Sequence, residues 1–288
     1  MSSHSARAQP ELHDPHKALP ASPLEMCLSP WRHRGLVSQM VRREVVGRYK
    51  GSMIGLAWSF LNPLLMLAIY TFVFSVVFKA RWGVNANEGR VDFAVVLFVG
   101  LIVHGLFAEC VNRAPTLIVQ NTNYVKKVVF PLDILPVVAM GSALFHAIIS
   151  TLVLLVAIIA TGNQLHWEFL LWPVLMLPTA LLALGFSWFL SSLGVFIRDV
   201  GQITLIFTTA LLFLSPVFFP VSSMPEKYQA LMNINPLTQA IEQMRGAIIF
   251  GRQPQWSGYL VSLGGAALAA WAGFWWFQRT RKGFADVL

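Results

Sequence analysis

The chain has 288 residues, of which 56% are hydrophobic and only 12% charged, about half the charged fraction of a typical soluble domain. Its mean hydropathy of +0.62 excludes an ordinary soluble fold and indicates a helical protein with several membrane spans. The net charge of +8 does not indicate nucleic-acid binding, because the basic residues lie beside apolar segments without forming one face with interleaved aromatic residues.

The first 30 residues are rich in Pro, His and Ser and lack the apolar stretch of a signal peptide. We expect a disordered cytoplasmic tail over residues 1–30 and a single membrane domain over residues 31–288. The two cysteines, Cys27 and Cys110, have no partners at metal-binding spacing, so we expect no metal site and no disulfide.

The segment 36–50 is amphipathic when it is drawn as a helix. Its apolar side chains share one side: Val37, Met40, Val41, Val45 and Tyr49. Arg42 and Arg43 lie opposite, while Glu44 and Arg48 interrupt the apolar side at a spacing that favours a salt bridge within the helix. We predict an interfacial helix along the inner leaflet, with a simple basic anchor for the first span as the alternative.

Six apolar runs are long enough to cross a hydrocarbon core about 30 Å thick. They cover residues 53–78, 93–112, 134–160, 169–195, 203–221 and 258–277. An even number of spans places both termini on one side, and fifteen of the 21 lysines and arginines fall on that side. We therefore predict an all-α fold with six transmembrane helices and cytoplasmic N- and C-termini.

The segment 222–257, between the fifth and sixth spans, is predicted to form two short helices at the outer leaflet. Proline pairs open both helices, at Met224-Pro225 and Asn235-Pro236, and Gly251 closes the second. An apolar stripe marks the second helix: Leu237, Ala240, Ile241, Met244, Ala247 and Ile248. A soluble loop would not need that stripe.

No catalytic or nucleotide-binding motif stands out. The segment Gly47–Ser52 lacks the spacing of a P-loop, so we expect no ATP site in this chain. Glu109 is the one acidic residue within a predicted span, and Arg113 four residues later offers it an ordinary partner. His104 and His146, also within spans, are predicted to pack with hydrogen bonds and not to relay protons.

The block GRYKGSMIGLAWSFLNPLLMLAIYTFVFSVVFKARW, residues 47–82, resembles the start of the permease subunit of ABC exporters for polysaccharides and polyol phosphates. That ABC type-2 permease group handles O-antigen, capsule and teichoic-acid chains. Further matches lie at residues 123–131, 198–202 and 215–220 and at Asn235-Pro236. The resemblance covers residues 32–288 and identifies the membrane domain as a permease.

The resemblance implies a homodimer with two copies of a cytoplasmic ATP-binding subunit, which would hold ATP and Mg while this chain binds no cofactor. The cargo would be a lipid-linked polysaccharide, exported across the bacterial inner membrane for lipopolysaccharide or capsule biosynthesis. By resemblance, the main coupling helix contacts the ATPase through Asn123, Tyr124, Val125, Lys126 and Lys127. Arg198 and Asp199 would form a second contact. An ordinary basic loop and an interfacial charge pair are the alternatives.

Aromatic residues suggest a path for the cargo. Tyr70, Phe74 and Phe78 recur every four residues on the first span, and Phe207 and Phe218 lie on the fifth. Their flat apolar faces would let a sugar chain slide without fixed hydrogen bonds. Packing or lipid contact is the alternative interpretation of these rings.

Two prolines, Pro63 and Pro216, are predicted to bend the first and fifth spans and to free backbone groups for a polar lumen. Two other functions remain open. One is a membrane-embedded enzyme of lipid or sugar transfer, which would need a cluster of reactive side chains at one cavity. The other is an ABC exporter of small lipids or drugs.

Overall fold

The computed structural model describes residues 21–79, 82, 93–126 and 130–288. Every regular element within those ranges is helical. The α-helices are α1 Pro23–Arg32, α2 Arg34–Arg48, α3 Trp58–Tyr70, α4 Phe93–Arg113, α5 Thr122–Val125, α6 Ile134–Ala160, α7 Trp172–Phe196, α8 Val200–Leu214, α9 Glu226–Ile234, α10 Pro236–Phe250, α11 Trp256–Thr280 and α12 Phe284–Val287.

The chain is helical earlier than predicted. Helix α1 begins at Pro23, and the Ser22 hydroxyl accepts a hydrogen bond from the Glu25 amide, which is the usual way to start a helix. The prediction of a disordered tail is therefore wrong for residues 23–30, while residues 1–20 lie outside the described part of the chain. The tail prediction missed α1 because its apolar residues are too few for a span.

Helix α2 confirms the predicted amphipathic segment. Met40 and Val45 on its apolar side are buried, and Arg42 and Arg43 on the other side are exposed. The helix packs on α6, where Gly141 leaves no room for a Cβ beside Val41. Contact between α2 and α6 explains why the apolar side is needed on a helix too short to span.

Within the described part of the chain, five helical segments are long and apolar enough to cross a membrane: Gly55–Val77, Phe93–Thr116, Ile134–Ala160, Trp167–Phe196 and Trp256–Val287. These match five of the six predicted spans. The sixth, predicted at 203–221, corresponds to α8, which is shorter because it ends at Leu214. Ser215 is extended, as expected for a residue that precedes proline. At about 1.5 Å per residue α8 is roughly 22 Å long, less than the hydrocarbon core.

The core lies around α4. In the most apolar 18-residue stretch of the α4 segment, 78% of the residues are buried. The corresponding share in the first segment is only 6%. Helix α4 packs on α6, α7, α8 and α10, and α11 lies along α7. The first segment continues past α3 as a π-helix, Thr71–Val77, and it is the least buried of the five long apolar segments.

The two short helices predicted between the fifth and sixth spans are present as α9 and α10. The Asn235 side chain accepts a hydrogen bond from the Leu237 amide, and Gly251 ends α10 with a left-handed backbone at φ 59°. The predicted stripe faces protein, since α10 packs on α4 and α7 and Leu237 and Ile241 are fully buried.

Candidate functional site

A cleft of about 320 Å³ separates α3 from α4 and α6. Small residues on the α4 and α6 walls leave the space open: Gly105, Ala143 and Ala147. Polar side chains line one end, Met66 and Leu101 line the middle, and Tyr70 lies at the far end. The cleft therefore extends from a charged mouth towards an aromatic region.

Pro63 lies inside α3 and lines this cleft. Because proline has no amide hydrogen, it cannot bond to the carbonyl of Ser59, one turn earlier, which also lines the cleft. Asn62 adds an amide side chain to the same wall. The wall formed by α3 therefore presents polar groups within an otherwise apolar segment.

The charged mouth is a network of four side chains. Arg48 donates to the Glu109 carboxylate over 2.7 Å, and the Nδ1 atom of His146 lies 3.0 Å from the same carboxylate oxygen. The Tyr49 hydroxyl lies 3.4 Å from Nε2 of His146. The network joins the end of α2 to α4 and α6, so it closes one end of the cleft.

The ion pairs differ from the two predicted within helices. Arg113 pairs with Glu44 of α2, and Glu109 pairs with Arg48 of α2, so each predicted pair at four-residue spacing is exchanged for one between helices. Burial raises the pKa of the Glu44 carboxyl, and the positive charge of Arg113 opposes that rise. The predicted packing role of His146 is too simple, since His146 belongs to this network.

Four of the five aromatic residues predicted to line the path lie in one connected cluster of rings. The Phe74 ring centroid lies 6.5 Å from Tyr70, 5.9 Å from Phe78 and 6.1 Å from Phe218. Phe74 also stacks on Phe93 at 5.3 Å, a contact that the sequence did not reveal. We call the connected rings the aromatic cluster: Tyr70, Phe74, Phe78, Trp82, Phe93, Phe213 and Phe218.

Phe207 lies apart from the aromatic cluster, since its ring stacks at 6.3 Å on Phe186 of α7. Phe207 was predicted to line the cargo path, and it does not share the aromatic cluster with the other predicted rings. Phe207 is seven residues before the break at the end of α8, and Phe218 is beyond the break. The break separates the two rings, which a continuous helix would have kept on one element.

Arg245 of α10 holds the break after α8. Its buried guanidinium donates to the carbonyl oxygens of Pro216, Val217 and Val96 and pairs with Glu242 at 3.0 Å. Pro216 does not bend a helix as predicted, because α8 has ended two residues earlier. The prediction that freed backbone groups would face a lumen is wrong at this position, where Arg245 satisfies them.

Arg245 also joins the break to the aromatic cluster, because its guanidinium lies 4.1 Å from the centroid of the Trp82 ring. The sequence analysis counted Arg245 among the external charges and missed this role. The available signal was its position next to Met244 on the apolar stripe, where a solvated charge is not expected.

Most of the residues assigned to ATPase contact lie at the end of the bundle that carries α2, which we call the basic end. Asn123 and Lys126 are exposed, whereas Tyr124 and Val125 are half-buried. Tyr124 stacks on Phe130 at 4.2 Å and accepts a hydrogen bond from Arg43 at 3.2 Å. Helix α5 is one turn long, and Lys127 lies outside the described residues.

The second predicted contact lies at the same end. Arg198 and Asp199 are exposed in the turn between α7 and α8. The end of α7 touches the turn that follows α4, since a Cβ on Gly194 would lie 2.1 Å from the Pro115 carbonyl oxygen. The two predicted contacts therefore lie on one side of the bundle.

These features define a class of protein: a polytopic helical membrane protein with a cleft between its least buried span and its core. The chain belongs to the ABC-2 type transporter family, whose model matches residues 35–249. It is similar to the O-antigen export system permease protein RfbA of Myxococcus xanthus, 26% identical over 260 residues that cover 90% of this chain and 97% of the relative.

Two further relatives are named for the transport of polysialic acid and the export of capsule polysaccharide. The polysialic acid transport protein KpsM of Escherichia coli is 24% identical over 218 residues, which cover 75% of this chain and 81% of the relative. The capsule polysaccharide export inner-membrane protein CtrC of Neisseria meningitidis is 25% identical over 219 residues, which cover 74% of this chain and 78% of the relative. These relatives and the long apolar helices agree with the predicted multi-pass inner-membrane location.

Proposed function

We propose that this chain is the permease subunit of an ABC exporter that moves a lipid-linked polysaccharide, of O-antigen or capsule type, across the inner membrane. The observation that carries the proposal is the cleft along α3. It leads from the charged network at the basic end to Tyr70, the first ring of the aromatic cluster. Relatives named for O-antigen and polysialic acid transport support this substrate class.

In this proposal two copies of the chain form a homodimer through the first span. The exposed face of α3 and of the π-helix that follows it includes Leu65, Ile69 and Phe72, an apolar surface beside the cleft. A second copy would cover that surface and complete the wall of the path. The proposed topology keeps six spans, with α8 and the residues after it counted as one, and both termini in the cytoplasm.

ATP and Mg would be bound by a separate cytoplasmic subunit, present in two copies, and no cofactor by this chain. We propose that this subunit contacts exposed side chains at the basic end, namely Asn123, Lys126, Arg198 and Asp199. Lys127 follows Lys126 in sequence and belongs to the same proposed contact. Lys126→Glu is expected to weaken co-purification of the ATP-binding subunit without loss of membrane insertion. Lys227→Glu, which reverses an exposed lysine in α9, is the matched control.

The deciding experiment reconstitutes the permease with its ATP-binding subunit in liposomes that contain the lipid-linked polysaccharide. We expect ATP-dependent delivery of the polymer to the far side of the membrane. A complex that hydrolyses ATP but moves only short-chain lipids or drugs would favour the small-lipid exporter. Covalent change of the polymer without ATP would favour the membrane-embedded enzyme.

A further inference from the structure

We propose that α1 is a second interfacial helix, whose outward face is immersed in the lipid leaflet around the basic end. Helix α1 precedes residues 35–249, the part matched by the family model, so family membership does not assign it a role. The inference is independent of the cargo and would hold for any substrate.

The outward face of α1 is apolar and uncovered. Leu24 and Trp31 are 69% and 67% exposed, and Cys27 between them is also exposed. Their spacing of three and four residues places all three on one side of the helix. Two large exposed apolar side chains on a ten-residue helix need an apolar environment to be stable.

The inward face of α1 is fixed to the bundle. The Ser29 hydroxyl, buried on this face, donates a hydrogen bond to the Asp133 carboxylate just before α6. Met26 packs against the core cluster at the basic end. Because these contacts fix the rotation of the helix, the stripe of Leu24, Cys27 and Trp31 is held facing away from the protein.

The depth of α1 identifies lipid as the occupant. The Trp271 indole donates a hydrogen bond to the carbonyl oxygen of Ala21 over 3.1 Å. Trp271 is nine residues before Thr280, the last residue of α11, so this contact lies roughly 13 Å up the helix. The beginning of α1 therefore lies beside the body of a helix long and apolar enough to cross a membrane, where acyl chains would surround it.

The other end of α1 has the residues of a headgroup boundary. Arg32 and Arg34 follow the stripe, and the Arg34 guanidinium lies 5.4 Å from the centroid of the Trp31 ring. Tryptophan and arginine are favoured at this level, where the ring is half-immersed and the cation meets anionic headgroups. Leu24 would lie deep in the leaflet, and Arg34, at the start of α2, would lie near its surface. This arrangement is expected if α1 is inclined into the leaflet.

Helix α1 is joined to the part of the chain that follows the proposed ATPase contact. Asp133 binds Ser29 of α1 and lies 3.5 Å from Arg281 after α11, while its own carbonyl oxygen accepts from the buried Trp188 indole at 2.9 Å. Arg281 also donates to the carbonyl of Phe130. Helix α1 is thus attached to Asp133, which lies six residues after Lys127, the last residue of the proposed ATPase contact.

The test uses the native cysteine of the stripe. Cys27 is exposed and Cys110 fully buried, so an environment-sensitive fluorophore would label the folded permease at Cys27. In nanodiscs of phosphatidylethanolamine and phosphatidylglycerol, we expect blue-shifted emission and strong quenching by a nitroxide placed near the top of the acyl chain. Water-like emission that the nitroxide lipid does not quench would overturn the proposal.

Matched controls use a Cys27→Ser background. Val261→Cys, on the exposed face of α11, should be quenched like Cys27, and Asp286→Cys, exposed in α12, should not. In the chain that retains Cys27, Leu24→Glu with Trp31→Glu should red-shift the emission of the Cys27 probe and reduce its quenching, whereas Leu24→Met with Trp31→Phe should leave both unchanged. If the ATP-binding subunit, and not the lipid quencher, changes the probe signal, the stripe is a protein-docking face and the proposal is wrong.

Discussion

Arg113 of α4 forms an ion pair with Glu44 of α2, although Glu109 lies one turn before Arg113 on its own helix. Glu109 pairs with Arg48, one turn after Glu44, so two parallel ion pairs fasten α2 to α4. Glu109 and Arg48 also line the mouth of the cleft. These charged contacts therefore link α2 directly to the cleft wall.

Breaking the pair between Glu44 and Arg113 should destabilise the permease. The two side chains are 18% and 28% exposed, so loss of one partner leaves a mostly buried charge, at a cost of about 1–2 kcal/mol. We expect Glu44→Gln and Arg113→Gln to lower the melting temperature in detergent.

The matched control is Glu25→Gln, which leaves behind only the Arg32 charge, 58% exposed, and should change stability by no more than about 0.5 kcal/mol. A reversed pair, Glu44→Arg with Arg113→Glu, should recover part of the loss. Equal melting temperatures for Glu44→Gln and Glu25→Gln would mean that the pair is not structural.

Protonation of Glu44 should make the stability of the folded protein depend on pH. Its pKa in the folded protein is raised by burial, so the folded state binds the proton more tightly than the unfolded state does. Stability from this group is then gained as the pH falls through the raised value towards 4.5, and lost as the pH rises. As the pH falls over that interval, the melting temperature of the wild type should rise relative to that of Glu44→Gln. A difference that shrinks on acidification would contradict the sign.

The crossing of α7 and α11 should not tolerate a methyl group. A Cβ on Gly185 would lie 2.6 Å from the Ala269 carbonyl oxygen, and one on Gly273 would lie 2.1 Å from the Gly185 carbonyl oxygen. Because backbone atoms cannot move aside, we expect Gly185→Ala and Gly273→Ala to cost about 1–3 kcal/mol of stability. Gly264→Ala, in open space on α11, should not reduce the thermal stability. Similar melting curves for all three variants would contradict the close crossing.

Arg245→Lys should destabilise the break after α8 although it preserves the charge. Lysine cannot reproduce the planar contact with Trp82 or the simultaneous bonds to the carbonyls of Pro216, Val217 and Val96. One buried carbonyl left without a donor costs about 1–3 kcal/mol. Limited proteolysis between α8 and α9 should become faster in Arg245→Lys than in Lys227→Arg. Equal cleavage rates would remove Arg245 from its role at the break.

Much of the fold follows from local sequence rules. Asn235 and Gly251 begin and end α10 as predicted, because caps depend only on neighbouring residues. The ion pairs of α2 and α4 could not be predicted, since the four-residue spacing satisfied Glu44 and Glu109 equally well within their own helices. Tertiary packing decided between the two arrangements by bringing the charged faces of α2 and α4 together.

The candidate site was predicted in part. The rings at Tyr70, Phe74 and Phe78 follow one helical period and stay connected in the fold. Phe207 was assigned to the same path on the assumption that the fifth span continues through Ser215, where the chain instead becomes extended. Arg245 was missed because the charge count assigned each arginine to one side of the membrane by the segment it lies in. That count takes no account of the carbonyl groups that a buried arginine can bind.

The most direct test of the proposed path is photo-crosslinking from Met66, which lines the cleft on α3. A photoreactive amino acid at Met66, in the complex with its ATP-binding subunit and lipid-linked polysaccharide, should crosslink to the polymer during ATP turnover. The same probe at Leu268, exposed on α11 away from the cleft, should react only with lipid. Polymer crosslinks at Leu268 and none at Met66 would contradict export along the α3 cleft.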